Sequence, residues 1–284
     1  MATDYPVLEE INSVNNYLKV VADIYKKWGI IQDSKEVNNV LFRGQDIDEP
    51  LLPSVLRNID GKRLNELLIY TSFTSIYKNY TDERFDNSKI ELFSFMQHYG
   101  IPTRLLDWTE NAIMALFFSI ESFTNQKTPV VWVINSKGLN ELTLPESGGT
   151  FLGDNRIVTA RLDLIGFLKD EILIPYYFIQ HPKYEIFKGT KTLDQPIAFY
   201  PISSGNQRII VQKGVFTVHG CKNDSIENIL IKEKKPEYLY KILIDKKAIN
   251  NIVFELKILG LSPRSVYPDL FGLSKEYRTP FYQC

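Results

Sequence analysis

The chain has 284 residues, 44% hydrophobic and 24% charged, a balance that supports a packed core and excludes the sparse, highly charged regime of disorder. Thirty-three basic against 34 acidic residues leave a formal net charge of −1, so the molecule as a whole offers no electrostatic funnel for a phosphate backbone. No apolar run approaches the roughly 18–20 residues that span a bilayer, residues 1–12 lack a basic and apolar leader pattern, and Cys221 and Cys284 read as free thiols; a cytoplasmic protein without a membrane partner is expected.

In chain order, Ile11, Val14, Leu18, Val21, Ile24 and Tyr25 recur at three- and four-residue steps, which predicts a helix over 11–28 closed by Gly29. Residues 39–44 read as a buried strand ending in Arg43, with Gly44 allowing an abrupt turn or a close approach of ligand to backbone. Helices are expected over 63–80 and 89–99, the second stopped by Gly100 and Pro102. Asp107 to Thr109 then reads as the cap of a third helix, 111–122, which is apolar nearly all round and so belongs in the core. The β-branched run 129–135 is the clearest strand.

Between residues 135 and 198 the signals weaken, and irregular structure or small helices are expected. Strands or strand approaches are predicted at 196–201, 207–212, 215–219 and 239–244, and a helix at 248–259. The sum is an α+β fold: a central mixed or antiparallel sheet with flanking helices, in one compact domain with an N-terminal helical segment. The organisation expected is a helical extension over 1–38 packed on a domain over 39–284, with a variable insertion at about 135–198.

The segment Gln97-His98-Tyr99-Gly100-Ile101-Pro102-Thr103-Arg104-Leu105-Leu106-Asp107-Trp108-Thr109 crowds an imidazole, a guanidinium, a carboxylate, hydroxyls and aromatics into what reads as a turn between helices. Two readings stand. Asp107 or Thr109 caps the next helix, Arg104 pairs with Asp107 and Trp108 is core; or these groups face a ligand. Arg43 and Arg208, read near strand positions, need an anion if buried, either a carboxylate of the protein, with Asp107 the obvious candidate, or a phosphate. The three histidines, His98, His181 and His219, and the two cysteines show no metal-ligand spacing, so no metal is expected. The lysines at 232, 234, 235, 246 and 247 read as a solvated face.

The Gln97–Thr109 segment, followed by Glu110, Asn111 and an alanine-containing helix, resembles the signature of the FRG domain. Phe42-Arg43-Gly44-Gln45 is similar to the tripeptide that names that family, the segment from Arg208 through Gln212-Lys213-Gly214-Val215-Phe216 to its arginine-containing strand, and Tyr267-Pro268-Asp269-Leu270-Phe271-Gly272-Leu273 to its closing motif. The order of these elements is also loosely similar to ADP-ribosyltransferases. That resemblance implies NAD as substrate, a nucleotide-like ligand, a protein or nucleic-acid acceptor, and a toxin or antiviral defence role; a non-catalytic ligand-binding or interaction module is the alternative. It implies catalytic roles for Arg43, His98, Asp107, Thr109 and Gln212, and ligand-binding roles for Arg43, Gly44, Tyr99, Thr103, Arg104, Trp108 and Arg208. The late glutamate usual in transferases is missing from residues 208–216, where Gln212 takes its place.

Overall fold

The structure, a computed structural model, describes residues 4–30, 39–58, 61–85, 89–143, 195–199, 207–220 and 223–277. Strand β1 (Val7–Ile11) leads into helix α1 (Val14–Lys27). The helix starts at Val14 rather than at Ile11 because Ser13 caps it, its side chain accepting from the Asn16 N–H. It stops at Trp28, where Gly29 takes the left-handed conformation (φ 69°). Its face of Val14, Tyr17, Val20, Val21 and Ile24 is buried. Strand β1 carries no alternation a sequence reading could use, with only Ile11 buried, and pairs in parallel with a strand far along the chain.

Then follow β2 (Val40–Gln45), α2 (Glu66–Ile76), α3 (Lys89–His98), β3 (Leu105–Thr109), α4 (Ala112–Ile120), β4 (Val130–Asn135) and α5 (Ser136–Thr143). The remainder comprises β5 (Ile197–Phe199), α6 (Gln207–Val211), β6 (Gly214–Val218), α7 (Ile226–Lys232), β7 (Leu239–Ile244), α8 (Ile249–Ile258), α9 (Pro263–Val266) and α10 (Leu270–Glu276). The seven strands form one sheet in the order β1-β7-β4-β2-β3-β6-β5, antiparallel throughout except for the parallel pair β1 and β7. This is the α+β architecture with a mixed sheet expected from the sequence.

Helices α1, α4 and α8 cover one face, packing on Val40, Phe42, Val131, Val133, Ile242 and Ile244. On the opposite face Leu41, Trp132, Ile134, Trp108 and Val215 meet Leu51, Leu139 of α5, and Ile226 and Leu230 of α7. Helices α2 and α3 close the β3-β6-β5 end over Leu105, Phe216, Val218, Ile197 and Phe199.

Three local expectations are corrected. Asp107 to Thr109 do not cap a helix: they are the end of strand β3, paired with Phe216, Val215 and Gly214. The cap is Asn111, whose Oδ1 accepts from the N–H groups of Ile113 and Met114. Residues 207–211 form helix α6 rather than a strand, closed when Lys213 turns to positive φ (47°) before β6 begins. Gly44 makes no turn but lies within β2, where a Cβ would run into the Ala115 carbonyl oxygen, so glycine lets the backbone of α4 rest on β2. Residues 136–143 form α5, one of the small helices that stretch allowed; most of the 135–198 segment, with His181, Cys221 and Cys284, lies outside the described residues.

Candidate functional site

Strands β2 and β3 are neighbours joined at a single register pair, Phe42 with Thr109, whereas β2 and β4 pair along six positions. Beyond Phe42 the two strands part, and Arg43 bridges the gap, its Nη1 donating to the Asp107 carbonyl oxygen at 2.6 Å. The Asp107 carboxylate is farther, 3.9 Å from Nη1. The Arg43 side chain is 17% exposed, and its Nε is buried without a hydrogen-bond partner among the described residues. Burial, opposed by Asp107 and aided by Arg57, lowers the guanidinium to about 10, which leaves it cationic at neutral pH.

A cleft of about 430 Å³ opens at this split, within the range of ligand sites, roughly 300–1,000 Å³. Its walls come from distant parts of the chain: Phe42 to Ile47 with Glu49 and Arg57, Asp107 to Thr109 of β3, the end of α4 with Phe118 and Glu121, then Ile209, Gln212 and Gly214 to Phe216, and Tyr267. The flat side chains of Phe118 and Tyr267 offer stacking surfaces, whereas Trp108 backs the wall from the core. Trp108 is pinned by its Nε1, which donates to Thr217 Oγ1 at 3.1 Å.

The carboxylates of the cleft are matched by cations. Asp46 pairs with Lys127 and Glu49 with Arg57 (2.9 Å). Glu121 accepts from the Tyr267 hydroxyl at 2.8 Å and from Lys275 Nζ at 2.7 Å. Asp107 faces Arg43 and also accepts from Gln97 Nε2 at 2.8 Å; Gln97 Oε1 accepts in turn from Thr103 Oγ1 at 2.6 Å. Burial pushes the Tyr267 hydroxyl far above its ordinary value, with Glu121 adding to the effect, so it stays a neutral donor.

Of the residues singled out from the sequence, Arg43, Gly44, Asp107, Trp108, Thr109 and Gln212 line this one cleft. Thr109 Oγ1 donates to the Gln212 carbonyl at 2.6 Å, tying β3 to the end of α6, and Gln212 Nε2 donates to the Val266 carbonyl at 3.3 Å. Thr103 is buried behind the cleft and reaches it only through Gln97. Arg104 does not reach it. Fully sequestered, it pairs with Glu66 of α2, Nε lying 2.8 Å from both carboxylate oxygens, and donates from Nη1 to the Gly220 carbonyl at 2.6 Å.

Arg208 sits beside the cleft, paired with Asp269 at 2.5 Å and stacked over the rings of Tyr267 and Phe271. His98 lies near that pair, its pKa lowered by burial and by Arg208, while Tyr99 is largely exposed at the end of α3, packed on Phe95. Sequence reasoning missed Glu49, Arg57, Phe118 and Glu121, and named Tyr267 only as part of a motif. For Glu121 a signal existed: a carboxylate at a helix C-terminus opposes the helix dipole and calls for another reason to be there.

The fold and cleft define a class: an α+β domain with a mixed sheet split beside a buried arginine. Residues 38–128 match the family model of the FRG domain, and the chain thus carries an FRG domain. That match runs from β2 through α4 and includes Arg43, Arg57, Asp107 and Glu121, whereas Gln212 and Tyr267 complete the cleft from outside it. Among curated proteins and among solved structures nothing matches the chain. Among the described residues no helix is long and apolar enough to cross a membrane, and no cluster of metal-ligating side chains is present.

Proposed function

We propose that the cleft between β2 and β3 binds a phosphorylated, nucleotide-like ligand, with NAD as the first candidate, and that the domain acts as an ADP-ribosyltransferase-like protein. The observation that carries this reading is the Arg43 guanidinium, lodged in the split of the sheet at the wall of a cleft of ligand size, 17% exposed and with one strong hydrogen bond among the described residues, to a backbone carbonyl. A largely buried cation without a close counter-ion is costly, a cost that an anion bound in the cleft would offset. Arginine's planar fork suits a phosphoryl oxygen pair better than a point charge would.

In this reading Phe118 and Tyr267 provide flat surfaces for a base or nicotinamide ring. Glu121 supplies the carboxylate that residues 208–216 lack, held by Tyr267 and Lys275 so that its remaining lone pairs can accept from ribose hydroxyls. Such a fixed negative group is what a cation-like sugar in glycosyl transfer requires. Gln212, with its amide nitrogen engaged by Val266, is left as a hydrogen-bonding group and not as a base.

Purified protein incubated with labelled NAD and a cell lysate tests the reading: label transferred to protein or nucleic acid, or nicotinamide released, is the expected result. No transfer, no release and no binding of NAD by folded protein would leave the second reading, a non-catalytic ligand-binding or interaction module. The observation favouring that alternative is the closed relay from Thr103 through Gln97 to Asp107 and Arg43, which engages part of the site internally. A toxin or antiviral defence role follows from the transferase reading alone, and growth arrest on expression, abolished by Glu121→Gln, is its expected sign.

A further inference from the structure

The charges around the cleft are balanced pair by pair, which poses a question for any anionic ligand: an added negative charge gains most where an internal carboxylate can yield its cation. Four pairs are candidates. Glu121 is clamped by two donors, and Asp107 is held by Gln97 and touches Arg43 only distantly. Asp46 is paired with Lys127, which does not itself line the cleft. Glu49 and Arg57 both line the cleft and are the most evenly open pair, 37% and 36% exposed.

Arg57 is held in place independently of Glu49. Its Nε donates to the Leu52 carbonyl at 2.8 Å, five residues back, so the guanidinium plane stays fixed if the carboxylate leaves. Arg57 also stands close enough to Arg43 to act on it as a like charge. Two guanidiniums facing one cleft repel each other unless an anion lies between or beside them, and Glu49 now fills that place for Arg57.

We infer that Arg57 is the second cation of an anion subsite formed with Arg43, and that Glu49 is a built-in counter-ion which the phosphoryl group of a ligand displaces. The inference rests on the cleft being a ligand site. Displacement is an exchange of ion-pair partners: the Glu49 carboxylate moves to solvent, the phosphoryl oxygens take its place on Arg57 Nη1 and face the exposed part of the Arg43 guanidinium, and no proton is transferred. Glu49 thereby sets a threshold, disfavouring weakly charged anions and admitting those that offer several oxygens to both forks.

Inorganic pyrophosphate titrated calorimetrically into the 284-residue protein at low salt is the test. Glu49→Gln is expected to bind pyrophosphate at least threefold more tightly than the unaltered protein, Arg57→Gln at least tenfold more weakly, and Arg57→Lys in between. Asp46→Asn removes the same charge from the same cleft without releasing Arg57 and is expected to change affinity less than twofold; thermal melts confirm that each variant is folded. Equal tightening by Asp46→Asn, unchanged affinity in Glu49→Gln, retained affinity in Arg57→Gln, or no binding by either the unaltered protein or Glu49→Gln would overturn the inference. Pyrophosphate binding that follows these variants in a protein indifferent to NAD would instead remove the dinucleotide reading and keep the subsite, and NAD binding untouched by either residue would do the reverse.

Discussion

Two arginines that look alike in the sequence do different work, and the difference lies in what each leaves behind. Arg104 is sealed in with Glu66 and the Gly220 carbonyl, so its removal strands a largely buried carboxylate. Arg104→Ala is expected to cost about 3–5 kcal/mol of stability. Arg43 has one strong bond, to a backbone carbonyl, and faces a carboxylate that is 56% exposed and held by Gln97. Arg43→Ala is expected to cost about 2 kcal/mol, the scale of one charge-assisted hydrogen bond. Chemical denaturation of the two variants checks the order; a larger loss at position 43 would make Arg43 a structural residue first.

His219 provides a residue-scale test against pH. The ring is fully buried, and burial together with the Arg104 guanidinium, opposed by the Leu51 backbone, lowers its pKa to about 3. With the unfolded value near 6.5, the unfolded chain takes up a proton that the folded one refuses. Stability is therefore lost as pH falls from about 6.5 toward 3, by about 1.4 kcal/mol per unit at the steepest. Urea midpoints measured over that range should fall less steeply for His219→Leu than for the unaltered protein; parallel curves would show that another group carries the acid limb.

At the scale of elements, Gly44 explains why the arginine-glycine pair sits where it does. The glycine admits α4 against β2, and α4 brings Phe118 and Glu121 to the cleft that Arg43 opens. Gly44→Ala would drive a methyl into the backbone of α4 at Ala115 and Ser119, which no side-chain rotation can relieve. A loss of at least about 3 kcal/mol is expected, at or above the usual cost of overpacking, read as a fall in melting temperature. A neutral outcome would mean that α4 does not lie on β2 so closely.

Elements with strong periodicity or long β-branched runs were legible in the sequence: α1, β2, α3, α4, β4, β7 and α8 fall within a few residues of where the pattern puts them. The failures have a common cause, short segments whose residues serve two roles. Asp107 and Thr109 are good cap residues before an apolar helix, but Leu105, Leu106 and Trp108 are each buried between sheet neighbours, and tertiary pairing decides for a strand. Ile209, Ile210 and Val211 favour a strand by composition, yet five residues carry too little pattern to separate strand from helix, and the turn at Lys213 separates them from β6.

At the scale of the whole molecule, the cleft exists because the sheet order sets β3 beside β2, joined at one register pair, while β4, the next strand along the chain, pairs fully on the other side. Arg43, Asp107 and Gln212 could be nominated from motifs; that they share one wall, and that Arg57, Glu121 and Tyr267 join them, depends on crossovers that local sequence does not encode. The same topology sent Arg104 away, since it lies just ahead of β3, at the end of that strand remote from the Phe42–Thr109 junction, where Glu66 of α2 meets it.

The central claim is that the split between β2 and β3 is a ligand site organised by Arg43, and calorimetric titration of NAD into the unaltered protein and Arg43→Gln tests it most directly. Saturable one-to-one binding by the unaltered protein, weakened at least tenfold in a variant that still melts cooperatively, is the result predicted. Absence of binding by the folded unaltered protein, or equal affinity in the two, would contradict it.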